Sequence, residues 1–149
     1  MFMGNIKIYL DTCCYNRPYD DQTQLRINLE SQAKLFIQKQ IIDGKLDLIY
    51  SFVSVYENSE NPFSIRKNAI FNFFSNAVKY VSYENISVIK QRAAEIIKTG
   101  IKDKDALHIS CAIEGKADYF ITTDIRLLKF SSDEIKIIDP IDFITLLEG

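Results

Sequence analysis

Short apolar runs alternate with longer segments of helical periodicity along the chain, and this alternation constrains the fold more than any other feature. Ile6 to Leu10 reads as a buried strand, short and bounded by polar residues. The stretch from Tyr15 to Asp21 is rich in turn formers. Asp21 and Gln24 have capping-box spacing, which predicts a helix from there to Gly44, with Leu25, Leu29, Ala33, Phe36, Ile37 and Ile41 inward. Leu46 to Phe52 is a second strand, followed by a helix or turn from Val53 that Asn61-Pro62 stops. Phe63 to Val78 has helical periodicity, Lys79 to Ser82 is a short strand, and Ile86 to Gly100 is an amphipathic helix with its stop signal. A helix over Asp103–Glu114, a strand ending at Thr123, a strand over Ile135–Ile138 and a last helix opened by Pro140 complete the order. Strands and helices in alternation imply a parallel sheet in an α/β fold. No repeat or linker interrupts the pattern, so residues 1–149 are expected to form a single domain.

Composition narrows the function classes. With 47% hydrophobic residues the chain can fill a core without disulfides. A net charge of -2 argues against a protein that coats nucleic acid electrostatically, though not against an enzyme acting on it. Cys13, Cys14 and Cys111 lack zinc-site spacing, and the chain has one histidine, so reduced, buried thiols are expected. The stretch from Met1 to Asn5 lacks a signal-peptide pattern, and no apolar run approaches the roughly 20 residues of a membrane span, so a cytoplasmic location is expected.

The chemistry resides in four acids, Asp11, Glu57, Asp105 and Asp124. Asp11 and Asp124 stand directly behind apolar strands, where a charge is costly unless something cationic meets it. Ligands of open α/β sheets collect at the carboxyl ends of strands, and a cluster of carboxylates there calls for a divalent cation such as Mg2+ or Mn2+. Such a centre can cleave a phosphodiester without a His, Ser or Cys nucleophile.

Tyr9-Leu10-Asp11-Thr12 is an apolar strand ending in Asp-Thr, and Val53-Ser54-Val55-Tyr56-Glu57 sets a glutamate early in a helix. Asp105-Ala106-Leu107-His108-Ile109-Ser110-Cys111-Ala112 opens a helix of small and apolar residues with an aspartate, and Ala117 to Asp124 is a strand ending in Thr-x-Asp. In this order and spacing the four segments resemble the motifs of the PIN-domain nucleases, over nearly the whole chain. Departures are Cys13, where the family often has Asn or Ser, and the long loop from Cys14 to Asp21. The resemblance implies a PIN-like three-layer α/β/α sandwich with a central parallel sheet, and Mg2+- or Mn2+-dependent cleavage of RNA. Asp11, Glu57, Asp105 and Asp124 would then be both catalytic and metal-binding. Many small bacterial members are VapC-type toxins, so an antitoxin protein and a second copy of the chain are expected partners besides RNA.

Each position has a competing structural reading. Glu57 competes with Glu60, and the Val-Ser-Val-Tyr run before Glu57 decides for it. Asp103 competes with Asp105; Asp103 reads as a helix N-cap or outer-shell acid, worth about 1 kcal/mol, and Asp105 as the ligand. Thr12, Thr122 and Thr123 can orient carboxylates, although a hydroxyl at a strand end is often a local cap. His108 lies one turn after Asp105 and reads as a packed, hydrogen-bonded histidine. Lys102, Lys104, Lys116, Lys129, Arg17 and Arg126 are phosphate contacts or solvated charges. The Phe63, Ile70, Phe73 and Phe74 stripe reads as core or as a partner surface. Rival functions are a catalytically silent PIN-fold RNA-binding or scaffold module and a haloacid-dehalogenase-type phosphatase. Against the second, Cys13 stands where its second aspartate belongs. A receiver domain fails because no aspartate follows Leu46–Phe52.

Overall fold

A computed structural model describes residues 4–149. Met1, Phe2 and Met3, part of the stretch read above for a signal peptide, lie outside the described residues. Five parallel strands form one sheet: β1 (Lys7–Leu10), β2 (Asp47–Ser51), β3 (Lys79–Val81), β4 (Tyr119–Ile121) and β5 (Lys136–Ile138), in the order β3-β2-β1-β4-β5. β1 is central, with Ile8 beside Leu48 on one flank and Tyr119 on the other. The chain winds outward from β1 to β3, then returns to begin β4 on the opposite side. That reversal opens a crevice at the carboxyl ends of β1 and β4, the usual ligand position in such sheets.

Helices cover both faces, giving the expected three layers. On one face Tyr9, Ile49 and Phe120 pack against α3 (Phe52–Ser59), α5 (Ile86–Ile97) and α6 (Asp103–Glu114), through Val53, Ile89, Ala93 and Ile109. On the other, Ile8, Leu10, Leu48 and Ile121 meet α2 (Leu25–Ile42), α4 (Ser64–Phe73) and α8 (Pro140–Glu148), through Ile37, Ile70 and Phe143. The alternation of Ile8, Tyr9 and Leu10 between faces is the period-2 pattern of a strand covered on both sides. No helix among the described residues is long and apolar enough to cross a membrane.

Three local expectations are corrected. The region after β1 is not an open turn: α1 (Thr12–Asn16) starts at once, N-capped by Asp11, and a 3-10 turn follows over Arg17–Tyr19. Asp21 does not cap α2. Its carboxylate accepts from the amide and hydroxyl of Thr23, closing a local turn, and α2 begins at Leu25 without a side-chain cap. The inward face of α2 is also rotated from the apolar pattern. Glu30, Ser31 and Lys34 are buried with Ala33, Ile37 and Ile41, while Leu25, Leu29 and Phe36 are exposed. Arg17 accounts for Glu30 and Ser31, which it meets as it folds back onto α2, while Lys34 lies against the Tyr15 and Phe73 rings. The Arg17 Nε lies 3.2 Å from Glu30 Oε1, an ion pair off the line of a hydrogen bond, and the Arg17 carbonyl accepts from Ser31.

Gly115 ends α6 with an ordinary backbone, and Lys116 takes the left-handed conformation instead. The glycine is needed for approach: a Cβ there would sit 2.8 Å from Ile49 Cγ2 and 2.9 Å from Val81 Cγ2. It lets the end of α6 lie directly on the sheet.

Candidate metal centre

The switch crevice gathers acids from four separate elements. Asp11, just past β1, is 6% exposed and held on both oxygens: Oδ1 accepts from the Thr12 amide at 2.8 Å, and Oδ2 from the Thr122 hydroxyl at 2.8 Å. Thr122 is itself buried and also accepts from the Asp124 amide at 3.0 Å, so one hydroxyl ties the ends of β1 and β4 together. The Cys13 thiol lies 3.5 Å from Asp11 Oδ2, at the rim of the same crevice.

Glu57 comes from α3. A capping box between Ser51 and Ser54 starts that helix at the end of β2 and turns Glu57 toward β1. Its Oε1 accepts from Thr12 Oγ1 at 2.5 Å and pairs with His108 Nε2 at 2.5 Å, while Lys104 Nζ stands 4.0 Å from Oε2. Burial pushes this carboxyl up, but His108, Thr12 and Lys104 together outweigh it and leave it below the usual glutamate range. Glu60, its rival, is exposed.

Asp105 sits in the first turn of α6, half-buried. Burial raises its carboxyl above the usual aspartate range. The charges of Asp11, Asp124 and Glu57 raise it further, against an opposing pull from His108. Asp124 caps α7 (Ile125–Leu128) by accepting from the Arg126 amide at 2.9 Å. The compact donor group is Asp11, Glu57 and His108, whose ligand atoms lie within 4.8 Å of one another. Asp105 and Asp124 stand around it, close enough for their charges to be felt.

Other expected residues fall elsewhere. Asp103 is not an N-cap: it is the first residue of α6, exposed, and Lys102 holds the cap position without a side-chain bond. An aspartate already inside the helical turn cannot bend back to its own first amides. Arg17 is not free to meet phosphate, since Glu30, Asp20 and Thr123 engage it at 3.2, 3.0 and 2.7 Å. Of the aromatic stripe, Ile70, Phe73 and Phe74 are core, but Phe63 is exposed with the Arg66 guanidinium 4.3 Å above its ring.

The donor set suits a hard divalent cation. It is rich in carboxylate oxygen, its two best-held acids are fixed by hydroxyls and amides, and Asp105 feels the negative charge of the other three acids on top of its own burial.

No family model matches the chain, and no curated protein matches it. Among solved structures, it matches a chain of VapBC2 from Rickettsia felis, crystallised bound to a DNA fragment from their promoter. The two are 17% identical over 90% of this chain and 98% of that one, with a TM-score of 0.52. The two chains share a fold; at this identity the likeness carries no residue roles.

Proposed function

We propose that the chain is a divalent-metal-dependent endoribonuclease that hydrolyses RNA phosphodiester bonds, with Asp11, Glu57, Asp105 and Asp124 holding Mg2+ or Mn2+. The observation that carries this reading is the convergence of Asp11 and Glu57, with His108, to within 4.8 Å at the switch crevice, beside an Asp105 whose carboxyl is raised by burial and then by the charges of Asp11, Asp124 and Glu57. A fold does not gather four carboxylates at a strand-end crevice for stability, because each raises the cost of the others. A cation bound there offsets that repulsion and supplies Lewis-acid activation of a water and of the phosphate. The protein's own part is orientation: Thr122 aims Asp11, and Thr12 aims Glu57.

RNA as substrate is supported by what borders Glu57. A cleft of about 260 Å³, lined by Asn16, Asn61, Phe63 and Arg66 among others, opens beside it. Arg66 stacks over the rings of Tyr19 and Phe63, both exposed. A guanidinium held between two exposed aromatic rings beside the acids suits the phosphates and bases of an unpaired strand. Lys104, 4.0 Å from Glu57 Oε2, is the phosphate contact this reading favours.

We further take the chain to be the toxin of a toxin-antitoxin pair. Leu25, Leu29 and Phe36 on α2 are exposed within a quarter turn of one another, apolar side chains of the kind a protein partner such as an antitoxin would cover. A second copy of the chain is the other occupant this reading expects, and the mass of the purified protein in solution separates the two. The nuclease is tested on single-stranded and structured RNA with Mn2+, with EDTA, and as Asp11→Asn. Cleavage is expected with Mn2+ only and is lost in the variant. Cleavage that survives both EDTA and Asp11→Asn rules out the metal mechanism; RNA binding without cleavage under any condition favours the silent binding module.

A further inference from the structure

The histidine in the compact donor group has the proximity of a ligand, yet both its ring nitrogens are already engaged. His108 is fully buried on α6. Its Nδ1 lies 2.6 Å from the Tyr9 hydroxyl, and its Nε2 lies 2.5 Å from Glu57 Oε1. The Tyr9 hydroxyl lies 2.6 Å from Ser51 Oγ and 3.1 Å from Ser54 Oγ, the two residues of the capping box that starts the Glu57 helix. A buried chain of hydrogen bonds therefore runs from the start of α3, across β1, to α6, and back to the carboxylate of α3.

We infer that His108 is a positioning residue for Glu57 and not a metal ligand. Facing an ionised carboxylate, Nε2 must carry the hydrogen and donate it, which removes the lone pair a cation would need. Tyr9 can then donate to Nδ1, with the serine hydroxyls satisfying the phenol oxygen. The stack of Tyr9 on Phe120, ring centroids 5.5 Å apart, fixes the phenol from its other side. Glu57 Oε1 receives two donors, from His108 and Thr12, so Oε2, which accepts no hydrogen bond and has only the exposed Lys104 ammonium 4.0 Å away, is the oxygen left for a metal ion.

This inference rests on the metal-centre reading, and its test separates the two. Mn2+ affinity is measured by calorimetry for the full chain and for His108→Ala, His108→Gln and Tyr9→Phe. Mn2+ bound to protein carrying 15N-labelled histidine is examined by pulsed electron paramagnetic resonance. Metal-free protein is examined by nitrogen NMR. Wild type is expected to bind Mn2+ with no directly coordinated histidine nitrogen, and its metal-free His108 is expected to carry hydrogen on Nε2. Loss of an outer-shell partner weakens metal binding by about 10-fold or more, so His108→Ala is expected to fall by that amount. The amide of His108→Gln, which can donate to Glu57 but not replace an imidazole ligand, recovers part of the loss. A coordinated histidine nitrogen, a bare Nε2 in the metal-free protein, or wild-type affinity in folded His108→Ala each overturns the inference alone. A wild-type protein that binds no Mn2+ overturns the metal centre and this inference with it.

Discussion

Lys34 is a lysine on the buried face of α2, 5% exposed, with its Nζ 5.6 Å from the Tyr15 ring centroid, 5.4 Å from that of Phe73 and 2.6 Å from Gln38 Oε1. Burial lowers its ammonium to about 8, against a small opposing pull from Cys14. In the unfolded chain the same group stays protonated up to the ordinary lysine range. Between the two values the unfolded state binds more protons, so stability rises with pH from about 8 and levels off at that range. Below about 8 the full destabilisation is present. Lys34→Met keeps the length and removes the charge, and is expected to stabilise the protein at neutral pH by about 1–2 kcal/mol after the lost ring contacts are counted. Urea titrations at rising pH check this, because the gain must shrink above pH 8. A variant less stable than wild type at neutral pH would show that the aromatic contacts outweigh desolvation. Lys34 was invisible in the sequence, where the apolar pattern of α2 passes through Ala33 and Ile37 and says nothing of the lysine between them. Thr122 was visible, because a hydroxyl one residue past a buried run has few other places to point.

At the scale of elements, α6 separates two acids of its first turn by burial, Asp103 exposed and Asp105 half-buried. Asp103 and Asp105 are equally acidic in sequence, and both lie in the first turn of the helix. Asp103 is exposed and bonds no helix amide, so Asp103→Ala is expected to cost under about 0.5 kcal/mol in a denaturant titration. Asp139, which caps α8 by accepting from the Asp142 amide at 2.8 Å, supplies the contrast: Asp139→Ala is expected to cost about 1 kcal/mol. Equal costs would mean that α6 is capped by Asp103 in solution after all. The far end of α6 depends on Gly115. With φ at -76°, alanine meets no backbone strain there, so any effect of Gly115→Ala is steric. Methyl contacts at 2.8 and 2.9 Å predict overpacking, a loss of about 1–3 kcal/mol read by thermal or urea unfolding.

For the whole molecule, the parallel order β3-β2-β1-β4-β5 makes four acids neighbours, and their repulsion should be visible in global stability. Folded Asp105 keeps its proton past the pH at which the unfolded chain's aspartate releases it. In that window the unfolded state binds fewer protons, so Asp105 lowers stability as pH rises through the window and keeps it lower above. Asp105→Asn removes this effect, and the variant is expected to gain on metal-free wild type as pH rises through and above the ordinary aspartate range. Excess Mn2+ should close the gap from the other side, stabilising wild type by about 2.7 kcal/mol at a hundred times its dissociation constant. Thermal melts of both proteins across pH, with and without Mn2+, measure each part. A gain that stays flat with pH would mean that neither burial nor the field of the other acids holds the proton on Asp105.

Most of the architecture was legible in one dimension. The strand periodicity around Tyr9 and Phe120, the helix over Asp103–Glu114 and the parallel α/β arrangement follow from local patterns, because period and stop signals act over a few residues. The acids at element ends were legible for the same reason: a charge directly behind a buried run is conspicuous without knowing its neighbours. Tertiary structure alone decided the rest. It turned α2 so that Glu30 and Lys34 face inward, since Arg17 meets Glu30 and the Tyr15 and Phe73 rings receive Lys34 from outside the helix. It engaged His108 between Tyr9 and Glu57, residues 99 and 51 positions away in sequence. Pairings of that kind depend on which strands lie side by side, and no local periodicity encodes a partner half a chain distant.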